Sequence, residues 1–325
     1  MSWTRHLQHP NTGLAFVVLF LVALVTAPVA MSSIRRSAEH EVEDAPAAAA
    51  AVVTQEPSTP EASTSAPEIV GESGSLRAVI GTPAMLAANT ALEPMLAHVS
   101  LAPGVHPLDV RAADGDPLVA VATQPFDAGS TKSHDGYYTG KWATKGLASR
   151  NPQYAPPQGY IPVTPQNENT QVTESFRLAD FLTHDQQNVW PKVLVLQPRI
   201  LDKLELIRAG LERRGLSSDI RILSGFRTPQ YNEQGVGKKG GRAEASRHQY
   251  GDASDIYVDA DGDHRMDDLN HDGKIDVKDA RVIYAVAEEV EAQHPELVGG
   301  LSAYNATGSH GPFVHVDARG TRARW

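Results

Sequence analysis

The chain has 325 residues, with 29 Lys and Arg against 39 Asp and Glu, a net charge of -10, and no cysteine. This length allows one or two domains of about 100 to 200 residues plus segments that need not fold. The acidic balance argues against a nucleic-acid partner, which requires a strongly basic surface. Without cysteine the protein has no disulfides, thiolate nucleophiles or Cys-type zinc sites, so any metal must bind to His, Asp or Glu.

The N-terminal segment, residues 1–36, contains an uncharged apolar run at residues 13–31. A run of this length is close to the ~20 residues that span a bilayer. Arg5 precedes the run, and Arg35 and Arg36 follow it, an arrangement that is also typical of a secretory signal peptide. The segment therefore predicts either an anchor in the inner membrane or a cleaved signal. Both interpretations predict an exported protein, located in the periplasm or outside the cell.

Residues 37–74 are rich in Ala, Pro, Ser, Thr and Glu, and positions 37–72 carry eight acidic and no basic residues. Such a composition cannot bury enough apolar surface to offset the ordering entropy, so it predicts a disordered linker. Residues 110–125 indicate two strands joined at an Asp-Gly turn, residues 114–116. This pattern predicts a small β-rich region within residues 75–165.

The C-terminal part, residues 166–325, shows the clearest periodicity. Residues 198–214 predict a helix with Pro in its first turn and Gly just past its end, and a second helix is predicted for residues 278–294. Strands are predicted at residues 220–223, 300–304 and 313–316. This order predicts an α+β fold with a small antiparallel sheet flanked by helices.

The most specific local feature is SRHQYGDASDI, which begins at Ser246 and separates His248 from Asp255 by seven residues. Gly251 between them favours a turn over a continuous helix, so the imidazole and the carboxylate can converge. A third potential ligand is His315, in the segment FVHVD. Two His and one carboxylate, with a fourth position for water, is the ligand set of a catalytic zinc site.

Asp317 follows His315 by two residues, so on a strand both side chains lie on the same face. Asp317 could act as a general base, or it could orient His315 from behind.

Three segments together resemble the M15 group of zinc peptidases, which includes D-alanyl-D-alanine carboxypeptidases and other peptidoglycan peptidases. They are SGFRTPQYN from Ser224, SRHQYGDASDI, and FVHVDARG from Phe313. The resemblance covers residues 176–325. It implies zinc on His248, Asp255 and His315, and it implies that Arg227 binds a substrate carboxylate or polarised carbonyl. A guanidinium suits that role because its planar fork matches a carboxylate.

The chain departs from the family pattern at Pro312. Many members carry an Asp or Glu three residues before the last His ligand as general base, and Pro312 cannot ionise. Three alternatives remain: Asp317 acts as the base, His310 assists, or the reaction proceeds with less help. His310 matches a histidine that some members place near the oxyanion.

An acidic insertion, residues 258–280, lies between the predicted zinc ligands. It resembles the calcium loop of dockerin and EF-hand proteins, with Gly273 at the turn position. The implied calcium ligands are Asp268, Asn270, Asp272, Lys274 through its carbonyl, and Asp279. Asp259, Asp261 and Asp263 begin a second, overlapping loop with His264 at its turn position, and they predict a second calcium site.

The combined interpretation is an exported zinc peptidase that hydrolyses peptide bonds in peptidoglycan stem peptides, as a D,D-carboxypeptidase or an endopeptidase. The alternative is a non-catalytic cell-wall-binding or calcium-dependent adhesion module on the same fold, which Pro312 favours. A third hypothesis is a processing peptidase for another exported peptide. The sequence does not determine the oligomeric state.

Overall fold

A computed structural model of the protein describes residues 76–90, 92–96, 98–111, 115, 117–126, 133–142, 148, 151–237 and 241–325. The strands are β1 (Ala78–Gly81), β2 (Gly104–Arg111), β3 (Pro117–Ala122), β4 (Gln124–Pro125), β5 (Ser133–His134), β6 (Tyr137–Tyr138), β7 (Gly159–Val163), β8 (Lys192–Leu194), β9 (Ile220–Ser224), β10 (Ala253–Val258), β11 (Gly300–Tyr304), β12 (Phe313–Asp317) and β13 (Ala323–Arg324). The α-helices are α1 (Pro83–Ala88), α2 (Glu93–Leu96), α3 (Pro198–Arg213), α4 (Pro229–Glu233) and α5 (Val277–Gln293). Short 3-10 helices cover Pro152–Tyr154, Leu178–Phe181, Arg247–Tyr250 and Pro295–Leu297.

The C-terminal region is built on a five-stranded sheet in the order β13-β11-β12-β10-β9. All neighbouring pairs are antiparallel except β11 and β13, which are parallel. Helix α5 packs on β11 and β12, and α3 packs on α5. The α+β architecture with a small, largely antiparallel sheet and flanking helices is therefore confirmed.

Helix α3 follows its predicted amphipathic pattern. Leu201, Leu204, Ile207 and Leu211 are fully buried, so the apolar stripe faces the core. This helix contains a glycine, Gly210, at a position where a larger residue would not fit, since a Cβ there would come within 2.5 Å of a methyl group of Val286 on α5. The absence of a side chain lets the two helices approach closely.

The N-terminal β-rich region shares its core with the C-terminal region. β2 and β3 pair antiparallel, although β2 begins at Gly104 and lies mostly before the predicted range of residues 110–125, and β1 adds to β3 in parallel. β7 pairs with β8, so one sheet crosses the predicted boundary at residue 166. Apolar side chains of β1, β3 and β7 lie in the same buried cluster as those of α3 and α5.

This N-terminal region also supports the 3-10 helix Arg247–Tyr250. The Trp142 indole Nε1 donates a hydrogen bond to the carbonyl oxygen of Gln249 at 2.8 Å, and Arg247 Nη1 donates to the carbonyl oxygen of Gln153 at 2.7 Å. The Arg247 guanidinium lies over the rings of both Tyr154 and Tyr250, at 5.0 and 4.6 Å from their centroids, and the two rings contact each other edge to face. The 3-10 helix that carries His248 is thus held in place by residues 142 and 153–154 of the N-terminal region.

A buried ammonium group connects both helices to the end of β12. Lys203 Nζ on α3 donates to Glu291 Oε1 at 2.6 Å and to the backbone carbonyl oxygens of Leu297 and Asp317, at 3.1 and 2.6 Å. Burial lowers the pKa of Lys203, and the Glu291 carboxylate opposes that shift. Since three acceptors satisfy all three donors of the ammonium, the charge is tolerated in the core.

The predicted membrane anchor or signal, residues 13–31, and the predicted linker, residues 37–74, lie outside the described residues. Among the helices that the structure does describe, none has the length and apolarity to cross a membrane.

Candidate metal centre

Three predicted ligands, His248, Asp255 and His315, converge in the structure. His248 Nε2 lies 3.2 Å from Asp255 Oδ1 and 3.2 Å from His315 Nδ1, and His315 Nδ1 lies 2.9 Å from Asp255 Oδ1. All three residues are buried, with 1%, 5% and 7% of their surface exposed. They form one of two groups among the described residues whose ligand atoms could hold a metal ion.

The sheet register brings two of these ligands together. Asp255 of β10 is directly opposite His315 of β12, so both side chains lie on the same face. The pairing of β10 with β9 shifts register between Asp255 and Ile256. An irregularity of this kind changes the direction of the side chains next to it, and Asp255 is one of them.

The third ligand reaches the same face through a turn. Gly251 ends the 3-10 helix with φ of 71°, a left-handed conformation that favours glycine. A Cβ at this position would also collide with the backbone of Val195. His248 therefore lies in the 3-10 helix that this turn connects to β10, and the predicted break in helical structure is confirmed.

The second nitrogen of each imidazole has its own acceptor. His248 Nδ1 donates to the carbonyl oxygen of Gly225 at 2.6 Å, and His315 Nε2 donates to Asp317 Oδ2 at 3.2 Å. Because a carbonyl or carboxylate oxygen only accepts, the hydrogen of each imidazole is on His248 Nδ1 and on His315 Nε2. The other two nitrogens, His248 Nε2 and His315 Nδ1, face Asp255 with their lone pairs available. Metal-binding histidines are generally held in this way.

The electrostatics of the group keep its carboxylate ionised. Burial would raise the pKa of Asp255, but His248, His315 and Arg227 together hold it well below its usual range. Burial lowers the pKa of His248. Burial lowers the pKa of His315, but the carboxylates of Asp255 and Asp317, which flank its two ring nitrogens, favour the protonated ring and raise the pKa overall.

The donor set fits a zinc ion. Tetrahedral ligands at about 2.0 to 2.1 Å from zinc are about 3.3 Å apart, close to the 2.9 to 3.2 Å between these three atoms. The set contains two imidazole nitrogens and one carboxylate oxygen, which zinc prefers when cysteine is absent. Asp317 behind His315 completes the carboxylate–histidine pairing that such sites use.

Arg227 borders the group on the side of β9. Its Nη2 donates to Asp255 Oδ2 at 2.5 Å, and its Nε donates to Ser224 Oγ at 2.8 Å. Its backbone N–H donates to the carbonyl oxygen of His248 at 3.1 Å, so the turn of Arg227 and the 3-10 helix are linked. Within the described residues these side-chain contacts use two of the five guanidinium N–H groups, so donors remain for a substrate oxygen.

Asp317 lies behind the ring of His315, on the side away from Asp255. It is fully buried, and it accepts hydrogen bonds from Arg319 and from the backbone N–H of Gly300 as well as from His315. Of the two roles that the sequence left open, this position suits orientation of His315. His310, the other candidate base, packs edge-on against Phe313 with ring centroids 4.9 Å apart, and its Nδ1 lies 2.8 Å from the carbonyl oxygen of Gly311.

In the predicted calcium loop, backbone N–H groups donate hydrogen bonds to the side-chain carboxylates of the same loop. Asp268 accepts hydrogen bonds from the backbone N–H groups of Asp272 and Gly273, and Gly273 has φ of 80°. Asp279, in the first turn of α5, reaches back to the backbone N–H of Asn270. The Lys278 ammonium pairs with Asp272 at 2.8 Å.

The second predicted loop is assembled differently from the sequence pattern. Asp259 and Asp261 are grouped with Asp267, and not with Asp263, as potential ligands. Asp263 instead accepts a hydrogen bond from the backbone N–H of Arg265. Burial, followed by the neighbouring carboxylates, raises the pKa of Asp267. Sequence spacing could have identified Asp267, since it stands at the ninth position of the loop that starts at Asp259.

Sequence reasoning assigned no role to two further residues beside His248, Asp255 and His315, which are called the zinc-ligand group below. The indole of Trp325 lies 5.4 Å from the imidazole of His315, and its Nε1 donates to the Tyr304 hydroxyl at 2.6 Å. The terminal pair of Arg324 and Trp325 is part of the family resemblance, but no local pattern assigns a role to Trp325 or Tyr304. Only their pairing across β11, β12 and β13 reveals their position.

The C-terminal region, residues 165–325, matches a family model of M15-type peptidases, and the α+β fold and the His–Asp–His group are compatible with that class. The matching family model is described as peptidoglycan L,D-endopeptidase MepK. Neither the comparison with curated proteins nor the comparison with solved structures found a match. The resemblance inferred from three short segments is therefore confirmed: residues 165–325, just under half of the chain, match the model of a peptidoglycan peptidase family, which supports a hydrolase.

Proposed function

We propose that the protein is an exported, zinc-dependent endopeptidase that cleaves peptidoglycan between an L- and a D-configured centre. The observation that carries this proposal is the buried convergence of His248, Asp255 and His315. The endopeptidase specificity is supported by the description of the matching family. A family of cell-wall peptidases also supports a location in the periplasm or outside the cell.

In this proposal each residue of the site has a separate role in amide hydrolysis. A zinc ion held by the three ligands would polarise the substrate carbonyl and lower the pKa of a bound water toward about 7. Asp317 holds the ring of His315 in its binding orientation. Arg227 would bind a substrate oxygen beside Asp255, through the guanidinium donors that Ser224 and Asp255 leave available.

The test is a digest of purified muropeptides followed by mass spectrometry of the products, with the metal removed and then with zinc restored. We expect zinc-dependent cleavage of an internal bond, which splits cross-linked muropeptides into two peptides. Release of a single terminal alanine would instead identify a D,D-carboxypeptidase. No cleavage with zinc at saturation would contradict the enzymatic proposal and favour the cell-wall-binding module.

We also propose that the loop from Asp268 to Asp279 binds calcium. Support comes from its closed geometry, in which backbone N–H groups fix the carboxylates of Asp268 and Asp279. Asp259, Asp261 and Asp267 are the corresponding candidates for a second ion. The insertion follows directly on β10, which carries Asp255, so bound calcium would rigidify one wall of the zinc site.

Calcium is expected to raise the Tm of the zinc-saturated protein. Extracellular loops of this type bind at about 10⁻⁴ to 10⁻³ M, so about 10 mM calcium would stabilise by roughly 1.4 to 2.7 kcal/mol. For a folded part of this size, that is an increase in Tm of about 3 to 10 °C. Calorimetry with and without calcium measures it.

The matched variants for this experiment are Asp268→Asn, which removes one ligand charge, and Asp109→Asn, which changes an exposed aspartate on β2. Asp268→Asn should reduce the calcium-dependent increase, and Asp109→Asn should retain it. An equal response of the two variants would exclude the loop as the calcium site.

A further inference from the structure

Aromatic side chains extend the face of the sheet that carries the zinc-ligand group. Phe313 and His315 share this face of β12 because they are two residues apart. On β11, Ser302 lies opposite His315 and Tyr304 lies opposite Phe313. The rings of Tyr304 and Phe313 stack with centroids 4.7 Å apart. Tyr304 is therefore one side-chain row away from His315.

Trp325 connects this row to the metal ligands. It follows β13, and its carbonyl oxygen accepts a hydrogen bond from Ser302 Oγ at 2.6 Å. Its indole ring contacts the imidazole of His315 on one side, with centroids 5.4 Å apart. Gly300 leaves room for the indole, since a Cβ there would come within 2.9 Å of the ring.

The indole also determines what the Tyr304 hydroxyl can do. Trp325 Nε1 donates to this hydroxyl at 2.6 Å, and an indole N–H is only a donor. The phenol oxygen is therefore an acceptor in that bond, and its own hydrogen is not used by the indole. The Ser302 hydroxyl also lies within hydrogen-bonding reach of Tyr304, so a substrate oxygen at the open face of the site would compete with Ser302 for that hydrogen.

The charges around Tyr304 are those of the zinc-ligand group. Burial raises the pKa of Tyr304, the indole hydrogen bond opposes this shift, and the nearby charge of Asp255 adds to it. The Arg227 guanidinium acts on the phenol in the opposite direction. The charges of Asp255 and Arg227 therefore both act on the hydroxyl, and the raised pKa keeps it protonated at neutral pH.

We propose that Tyr304 is a catalytic residue that donates a hydrogen bond to the scissile carbonyl oxygen as negative charge develops there, and that Trp325 is its positioning residue. This inference rests on the proposed peptidase function. In the reaction, water adds to the carbonyl carbon and loses a proton, while an electron pair moves to the carbonyl oxygen. That pair then re-forms the carbonyl double bond, the C–N bond breaks, and the leaving nitrogen takes up the proton that the water lost. Tyr304 stabilises the charged oxygen without giving up its own proton.

The first test is the kinetics of Tyr304→Phe, which removes one oxygen atom and keeps the stack on Phe313. Loss of one donor to a developing oxyanion lowers kcat by about 10² to 10³-fold. We expect that decrease with unchanged KM, zinc content and Tm. Trp325→Phe, which keeps a ring but loses the N–H, should lower kcat less than Tyr304→Phe does. Tyr257→Phe, on β10 of the same sheet, is the matched control with parental kinetics.

The second test measures binding without catalysis. A phosphinate peptide carries a tetrahedral, charged group in place of the scissile amide, so it reports the same hydrogen bond. By isothermal titration calorimetry, Tyr304→Phe should bind the phosphinate at least about tenfold more weakly than the parent, a loss typical of a hydrogen bond to a charged group. The cleavage products should bind both proteins equally.

The outcomes separate this inference from the function on which it rests. If the parent cleaves muropeptides and Tyr304→Phe matches it in kcat and in phosphinate affinity, the role of Tyr304 is wrong and the peptidase proposal stands. If Tyr304→Phe loses zinc or stability in proportion to activity, its role is structural and the inference is also overturned. If the zinc-loaded parent cleaves no muropeptide, both proposals fail together.

Discussion

Replacing His248 with alanine is expected to remove the bound zinc and abolish muropeptide hydrolysis. His248 supplies one of three ligands, and its Nδ1 bond to Gly225 fixes the ring so that Nε2 faces Asp255 and His315. Metal catalysis contributes several kcal/mol to the transition state, so we expect kcat/KM to fall by at least about 10³-fold. Zinc content by mass spectrometry and product formation by chromatography measure the two effects.

The control for this variant is His98→Ala, which removes an exposed imidazole from the N-terminal region. It should retain parental zinc content and activity. A His248→Ala protein that keeps its zinc and digests muropeptides at the parental rate would rule out the metal centre.

Asp317→Asn is expected to weaken zinc binding by about 10 to 100-fold, the usual effect of removing a partner of a ligating histidine. The substitution preserves shape but removes the negative charge that orients His315 and supports the basicity of its Nδ1. Competition with a chromophoric chelator measures the zinc affinity. At saturating zinc most of the activity should return, because the carboxylate acts on the ligand and not on the substrate.

Asp252→Asn provides the matched comparison. Asp252 is also buried and also pairs with an arginine, Arg247, but it does not contact the three ligands. It should lower stability and leave zinc affinity unchanged. If Asp317→Asn instead binds zinc as the parent does and loses kcat at saturating zinc, Asp317 acts as the general base and the orienting role is wrong.

The elements predicted from sequence are those whose pattern is local. Helix α3 was visible because its apolar side chains recur at helical spacing between a Pro and a Gly. Helix α5 begins at Val277, one residue before the predicted start, because Asp276 and Asp279 form a capping box there. Strand β12 was predicted from its short apolar run, and in the structure it is one residue longer than predicted because it includes Asp317.

Contacts between distant segments were not readable from such patterns. Lys203 on α3 hydrogen-bonds Asp317 across 114 positions of the chain, and a lysine at a core-facing helical position carries no sequence signal of its partner. Asp263 and Asp267 both stand at loop positions that can supply ligands, and only the folded loop shows that Asp267 meets Asp259 and Asp261. The same holds for Tyr304 and Trp325, which meet only through the β11–β13 pairing.

The sequence by itself determined the chemistry that is available: no cysteine, two imidazoles and one carboxylate in segments typical of M15 peptidases, and a proline where a base is common. The tertiary structure alone decided how those groups act. Strand register placed Asp255 opposite His315, and the Gly251 turn delivered His248 to the same point. Residue types set which bonds can form, but distances between remote side chains depend on how the strands pair and the helices pack.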